Sequence, residues 1–290
     1  MDRRGYPSDL SDAEYACLRP HLPSPPPRGR PWRWSLRAIL NATFYIVRTG
    51  AQWRQLPNEY PPWPTVYWWF RRWRLDGTWE RLNAALRERL RVAVGRDPQP
   101  SAGIIDSQSV KTTAVGGVRG YDGGKKISGR KRHLLVDTLG LVLRADVHSA
   151  ALQERATVPN LLDGADRQFP RMGHIWADRG YAGTGKRWVE EQLGWSVEVV
   201  QHPRTRERGF LGVLDPSAPG GFRLEYSTVR GKRGFQGVLP RRWVVERTFA
   251  WLLHSRRLAR DYERLTATDE AMIYATMTRL MIRRLARKEP

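Results

Sequence analysis

Ile104-Ile105-Asp106-Ser107-Gln108-Ser109-Val110-Lys111 is the stretch on which the reading of this chain turns. An apolar pair runs into an acid in a segment of low charge that opens at Gly103, the pattern of a short strand carrying a carboxylate. The same arrangement recurs in His174-Ile175-Trp176-Ala177-Asp178, followed by Arg179-Gly180. A third acid, Glu246, interrupts a helix that is otherwise largely apolar, Trp243-Val244-Val245-Glu246-Arg247-Thr248-Phe249-Ala250-Trp251-Leu252-Leu253. A lone carboxylate on an apolar element is costly unless it is paired or holds a cation. In a basic chain, three of them read as a metal site facing a polyanion.

The charge agrees. Against 29 Asp and Glu stand 50 Lys and Arg in 290 residues, a formal net charge of +21. Such a balance says little about fold but favours a phosphate-rich partner. The length suits one large domain or two ordinary ones. A single cysteine, Cys17, excludes disulfide frameworks and thiolate zinc sites. The start, Met1-Asp2-Arg3-Arg4-Gly5-Tyr6-Pro7, has no apolar signal region, and no run approaches the ~18 apolar residues of a membrane helix. A soluble, cytoplasmic protein with no membrane partner is expected.

Outward from Asp106, a strand over 103–110 is followed by a Gly/Lys loop, 116–129, too polar to pack. Arg132–Asp137 and Leu141–His148 flank Thr138-Leu139-Gly140 as a hairpin, with Asp137 as a turn residue. A helix near 153–164, the strand ending at Asp178, a helix over 186–193 and a strand over 196–200 complete an α/β architecture, a mixed sheet with helices. The Gly/Pro/Arg-rich region 201–242 contains one strand-like piece, Phe222–Val229, and reads as an insertion. Helices over about 241–256 and 268–286 end the chain.

Toward the front, Ser11-Asp12-Ala13-Glu14 is a capping box. A Pro-rich linker, 20–31, separates that short helix from a second, over 34–48 and capped by Gly50. Pro64 starts a third, in which Val66, Trp69, Phe70 and Trp73 hold the spacing of a buried stripe. Thr65, Trp68, Arg71, Arg72 and Arg74 occupy the other face. This is a candidate recognition helix of a helix-turn-helix-like unit, or a packed Trp-rich helix with a solvated arginine face. Gly95-Arg96-Asp97-Pro98-Gln99-Pro100 marks a boundary, giving a small all-α domain, 1–97, and a second domain, 98–290, with a basic insertion around 201–240.

The local words carry more than the spacing. The segment 104–111, then Gly129-Arg130-Lys131-Arg132-His133-Leu134-Leu135-Val136-Asp137-Thr138-Leu139-Gly140, then Ala177-Asp178-Arg179-Gly180-Tyr181, then Leu239-Pro240-Arg241-Arg242-Trp243-Val244-Val245-Glu246 together resemble the bacterial insertion-sequence transposases with a DDE catalytic domain of RNase H-like fold. The resemblance covers nearly the whole chain, including Gln52-Trp53-Arg54-Gln55-Leu56-Pro57 and the helix after Pro64. It implies that Asp106, Asp178 and Glu246 are the catalytic, metal-holding acids. The cofactor implied is a pair of Mg²⁺ ions, with Mn²⁺ able to substitute, which would serve both oxygens of a phosphodiester displacement. It also implies that Arg242 grips a phosphate, that Arg256-Arg257 is the trailing basic pair, and that the front domain binds terminal inverted repeats. The implied partners are double-stranded DNA, as repeats and as target, and a second copy of the chain in the DNA complex. Lys125, Lys126, Arg130, Lys131 and Arg132, beside the expected site, read as DNA-backbone contacts, together with Arg71, Arg72, Arg74 and Arg257.

The stretch Gly209–Gly234 is longer than the family has before its glutamate helix. A regulator that binds repeats without cutting, and a nuclease of the same fold that never joins strands, are the alternative readings. Gly180–Arg187 approaches a P-loop, but Arg187 stands where Ser or Thr should bind Mg²⁺, so no nucleotide cofactor is expected. The six histidines show no metal spacing, and Asp146 reads as part of a solvated strand face.

Overall fold

The computed structural model describes residues 5–24, 28, 31–200, 206–214, 222–230 and 242–287. Four helices come first: α1 (Asp12–Leu18), α2 (Leu36–Thr49), α3 (Trp63–Leu75) and α4 (Thr78–Ala93). Their ends follow local chemistry. The Ser11 hydroxyl accepts from the Glu14 N–H at 3.2 Å while the Glu14 carboxylate accepts from the Ser11 N–H at 2.9 Å, a closed capping box. Gly50 ends α2 at φ 74°, a conformation that favours glycine. Along α3, Val66, Trp69, Phe70 and Trp73 are buried, while Trp68, Arg71 and Arg72 face solvent and Arg74 is half-buried.

The sheet strands follow: β1 (Ala102–Lys111), β2 (Gly120–Asp122), β3 (Ile127–Asp137) and β4 (Val142–Ser149). Then come α5 (Glu154–Leu162), α6 (Ala165–Gln168), β5 (His174–Ala177), α7 (Thr184–Leu193) and β6 (Ser196–Val199). The central strand, β1, is antiparallel to β3 on one side and parallel to β5 on the other, and β6 extends the parallel part. The far edge of β3 takes β4 along 130–136 and β2 along 127–129, both antiparallel. Four strands in antiparallel pairing, β1 to β4, joined to the parallel β5 and β6, with helices on both faces, make a mixed α/β sheet of RNase H-like form.

The Gly/Lys loop is more ordered than its polarity predicts, because it contributes β2. Asp122 is buried there and accepts hydrogen bonds from Ser109 Oγ (2.6 Å) and from the N–H groups of Gly124 and Lys125 (3.0 Å each). The β3–β4 hairpin is as expected, with Asp137 Oδ1 accepting from the Leu139 and Leu141 N–H groups at 2.9 Å. In the basic insertion, β7 (Arg206–Leu214) pairs antiparallel with β8 (Phe222–Arg230), where the sequence showed one strand of the two. The remainder of 201–241, including Leu239-Pro240-Arg241, lies outside the described residues, as do 25–27, 29 and 30 of the Pro-rich linker. The chain closes with α8 (Arg242–Leu253) and α9 (Thr266–Ala286).

Side-chain alternation along the strands feeds two apolar layers. Ile104, Leu134 and Val136 pack against α8, α9 and the front helices. Ile105, Leu135 and Leu143 pack against Val158, Phe169, Tyr181 and Val189 on the opposite face. The first layer runs without a break from Phe44, Trp73 and Trp79 to Met272 and Met277, so the core is continuous across the boundary expected near residue 97. No helix among the described residues is long and apolar enough to cross a membrane.

Candidate active site

Asp106 shares its face of β1 with Ile104 and so points toward α8. Asp178 directly follows β5, the parallel neighbour of β1. Helix α8 is held across this sheet face by buried Val244, Val245, Phe249 and Leu252. Two bonds to the hairpin turn fix it further: Arg247 Nη2 to the Leu139 carbonyl (2.9 Å) and Thr248 Oγ1 to the Gly140 carbonyl (2.7 Å). Its first turns then present Arg242 and Glu246 on one side, four residues apart.

Arg242 joins the acids. Its Nη2 lies 3.6 Å from Asp106 Oδ2, 3.9 Å from Asp178 Oδ2 and 3.9 Å from Glu246 Oε1. The residue expected to grip a phosphate is thus the cation that the three carboxylates share. Burial, then the nearby Asp178, pushes the Asp106 carboxyl up to about 6, against the opposing pull of the Ser107 N–H (2.7 Å) and Arg242. Asp178 is raised by burial and then by Glu154, with the Gly180 N–H (2.7 Å) and Arg242 opposing. Asp106 and Asp178, whose carboxyls resist ionisation, gather with Glu246 on one positive group, an oxygen donor set that a hard divalent cation fits.

The sequence reading missed Glu154, in the first turn of α5. Its Oε1 accepts from Ser107 Oγ at 2.6 Å and lies 3.4 Å from Lys125 Nζ, and its charge raises both aspartates. A Cβ at Gly180 would overlap the Glu154 carboxylate and approach Asp178 Oδ1 to 2.9 Å. The glycine after Asp178 therefore makes room for a fourth acid. Behind it runs a buried strut. Tyr181, held protonated by burial, donates to His133 Nε2 (2.7 Å), and His133 Nδ1 meets Thr157 Oγ1 (3.2 Å), which donates to the Glu154 carbonyl (3.1 Å). Burial pushes His133 down to about 3, so the imidazole is neutral and can accept from Tyr181.

Of the cations expected to contact DNA, Lys125 and Lys126 are exposed at the end of β2, and Lys125 Nζ also donates to the Ser107 carbonyl (3.2 Å) beside the acids. Others are turned inward, which corrects their reading. Arg130 is fully buried, bonded to Asp261 and to the Glu263 carbonyl (2.8 Å each). Arg132 is fully buried in a two-pronged pair with Asp269 (2.6 and 2.8 Å). Lys131 is buried on the Leu152 carbonyl (2.9 Å), and Arg257 on Glu263 (2.6 Å) and the Ala51 carbonyl (3.0 Å). β3 is covered on both faces, so a charge run along it becomes alternating internal pairs rather than a solvated edge.

Asp146 is half-buried rather than on a solvated face, and it lies with His133 and His148 in a group whose ligand atoms fall within 4.8 Å of one another. Both His133 nitrogens are already bonded to Thr157 and Tyr181, which leaves that group two ligands short of a metal cage.

Two aspartates at neighbouring strands of an RNase H-like sheet are met by a glutamate from a C-terminal helix, and the family described as "Transposase DDE domain" matches residues 97–281. The family described as "Putative transposase of IS4/5 family (DUF4096)" matches residues 10–83, and the chain belongs to this IS4/5 group of insertion-sequence DDE transposases. It is 34% identical over 113 residues to "Insertion element IS402 uncharacterized 16.2 kDa protein" of Burkholderia cepacia, covering 37% of this chain and 76% of that one. It is 31% identical over 146 residues to "Putative transposase for insertion sequence element IS402" of the same organism, covering 47% of this chain and 54% of that one. No solved structure matches.

Proposed function

We propose that this protein binds the terminal inverted repeats of its element, cuts the DNA at their ends and joins the freed 3′-hydroxyls to target DNA. The observation that carries this reading is the convergence of Asp106, Asp178 and Glu246 on a single cationic nitrogen within 4 Å of each. Acids so gathered, in a chain of net charge +21, suit metal-assisted chemistry on a polyanion.

Asp106, Asp178 and Glu246 would hold two Mg²⁺ ions, or Mn²⁺ in their place. Bound there, such ions supply polarisation of the scissile phosphate and a lowered pKa of the attacking oxygen. Arg242 leaves the acids for a non-bridging phosphate oxygen once DNA arrives, exchanging one charge-assisted contact for another. Glu154 holds Ser107 and Lys125 in place at the rim, where the Lys125 ammonium meets the backbone next to the cut. The front domain, 1–97, engages the repeats with Arg71 and Arg72 of α3, whose guanidiniums border the exposed Trp68. Pairing two element ends requires a second copy of the chain, so the working form on DNA is a homodimer in the bacterial cytoplasm. Asp106→Asn tests the assignment: it should abolish cleavage and leave repeat binding intact, since it removes a metal ligand and no phosphate contact. Cleavage at the wild-type rate in that variant refutes it.

A further inference from the structure

On the flank of α8 away from the acids lies a cleft of about 230 Å³ lined by Arg48, His254, Arg279, Arg283, Arg284 and Arg287, with Trp251 in its wall and no carboxylate in its lining among the described residues. Its positive charge is largely unanswered. Arg48 Nη1 donates to the His254 carbonyl and Arg279 Nη2 to the Pro7 carbonyl (3.0 Å), contacts that orient the guanidiniums without neutralising them. Arg284 stacks over Trp251 at 4.3 Å. Among the described residues the one carboxylate paired with any of them is Glu14, 3.5 Å from Arg283 Nε and already accepting from the Ser11 N–H. Burial and the neighbouring Arg283 push Arg279 down to about 10. The dipole of α9 favours arginines in its last turn, but it does not account for Arg279 further back or for Arg48 of α2 joining them, since like charges at such spacing repel.

Geometry gives the cleft a direction. Arg279, Arg283 and Arg287 stand four residues apart in one column spanning about 12 Å of helix, close to the axial rise of three or four nucleotides of a DNA strand. Arg247, held between Trp243 and Trp251 at 4.5 and 4.6 Å, links this column along α8 to Arg242 and Glu246. At its other end Arg48 belongs to α2 of the front helices. All five fixed cations are arginines, whose planar forks suit phosphate oxygens better than an ammonium does.

We propose that this cleft is a binding site for the DNA phosphate backbone, a sequence-independent clamp between the front helices and the carboxylates. It rests on the transposase reading and locates a surface that reading did not include. The test uses the full chain, titrated onto a labelled duplex carrying the terminal repeat and onto a shuffled duplex, each over a salt series. Arg283→Ala/Arg287→Ala, both exposed positions, should lower the slope of log K against log salt by about 1.8 on both duplexes, ~0.9 for each phosphate deprived of its cation. Arg283→Lys/Arg287→Lys should restore most of the slope. Arg155→Ala/Arg187→Ala, exposed on the opposite helical layer, should leave it unchanged. A wild-type slope in the double-alanine variant overturns the clamp while leaving the transposase reading standing. So does a loss confined to the repeat duplex. Failure of the wild-type chain to bind either duplex overturns the transposase reading and the clamp with it.

Discussion

Asparagine in place of Asp106 removes a charge that the fold holds at a loss. The residue is 8% exposed, and burial followed by repulsion from Asp178 carries its carboxyl to about 6, from an ordinary value of 3.8. A folded-state value above the unfolded one means that the native chain binds the proton more tightly. That contribution is fully present below about pH 4 and is lost as pH rises through about 6. At pH 8 the ionised acid therefore costs the metal-free protein roughly 3 kcal/mol, each tenfold change in proton affinity being worth about 1.4 kcal/mol. Asparagine keeps an oxygen for the Ser107 N–H and carries no charge. The variant should be more stable by up to ~3 kcal/mol, about 5–10 °C in Tm for a chain of this size. The assay is thermal unfolding of both proteins in chelator, from pH 4 to pH 8. The gap should be widest at pH 8 and close toward pH 4. A variant less stable than wild type at pH 8, or a gap independent of pH, would refute the claim that the site stores electrostatic cost for function.

Arg242→Gln should tighten Mn²⁺ binding to the DNA-free protein several-fold, because a competing cation has left Asp106, Asp178 and Glu246; calorimetry showing weaker binding would contradict the shared-cation account. Gly180→Ala should lower turnover at least tenfold with little change in Tm, since its Cβ meets the Glu154 carboxylate, and combining it with Glu154→Ala should cost less than the two changes separately. Asp269→Ala should destabilise the fold by about 3–5 kcal/mol in denaturant, leaving Arg132 buried and unpaired. A destabilisation under about 1 kcal/mol there would mean that water reaches the guanidinium.

What the sequence disclosed, and what it withheld, has a common physical basis. Asp106, Asp178 and Glu246 were legible because each breaks an apolar pattern, and an unexplained acid in such a place demands a partner. Glu154 breaks nothing: an acid in the first turn of a helix is what the helix dipole favours, so a local reading is satisfied without it. Only the chain path that sets α5 beside β1 turns it toward Ser107 and Gly180. Arg130 and Arg132 misled for the reverse reason. A basic run looks solvated, and their partners, Asp261 and Asp269, lie more than 130 residues further on. The Arg column of α9 shares its helix with buried Ile273, Met277 and Met281, and the apolar period of these residues dominates a local reading of the segment. β7 was hidden by glycine and arginine content that blurs a strand's alternation. The order of elements, in contrast, follows from period and punctuation: Ser11 and Gly50 cap their helices as local chemistry says they should, and α3 begins one residue before Pro64, at Trp63, with Pro62 as its N-cap.

The most direct test of the central claim is Mg²⁺-dependent cleavage and joining of a labelled duplex carrying the inverted repeats that flank the reading frame, with Glu246→Gln as control. Joined products formed by the wild-type chain and absent with Glu246→Gln are the predicted result. Binding without cutting by the wild-type chain, or cutting and joining that survive the loss of Glu246, would contradict it.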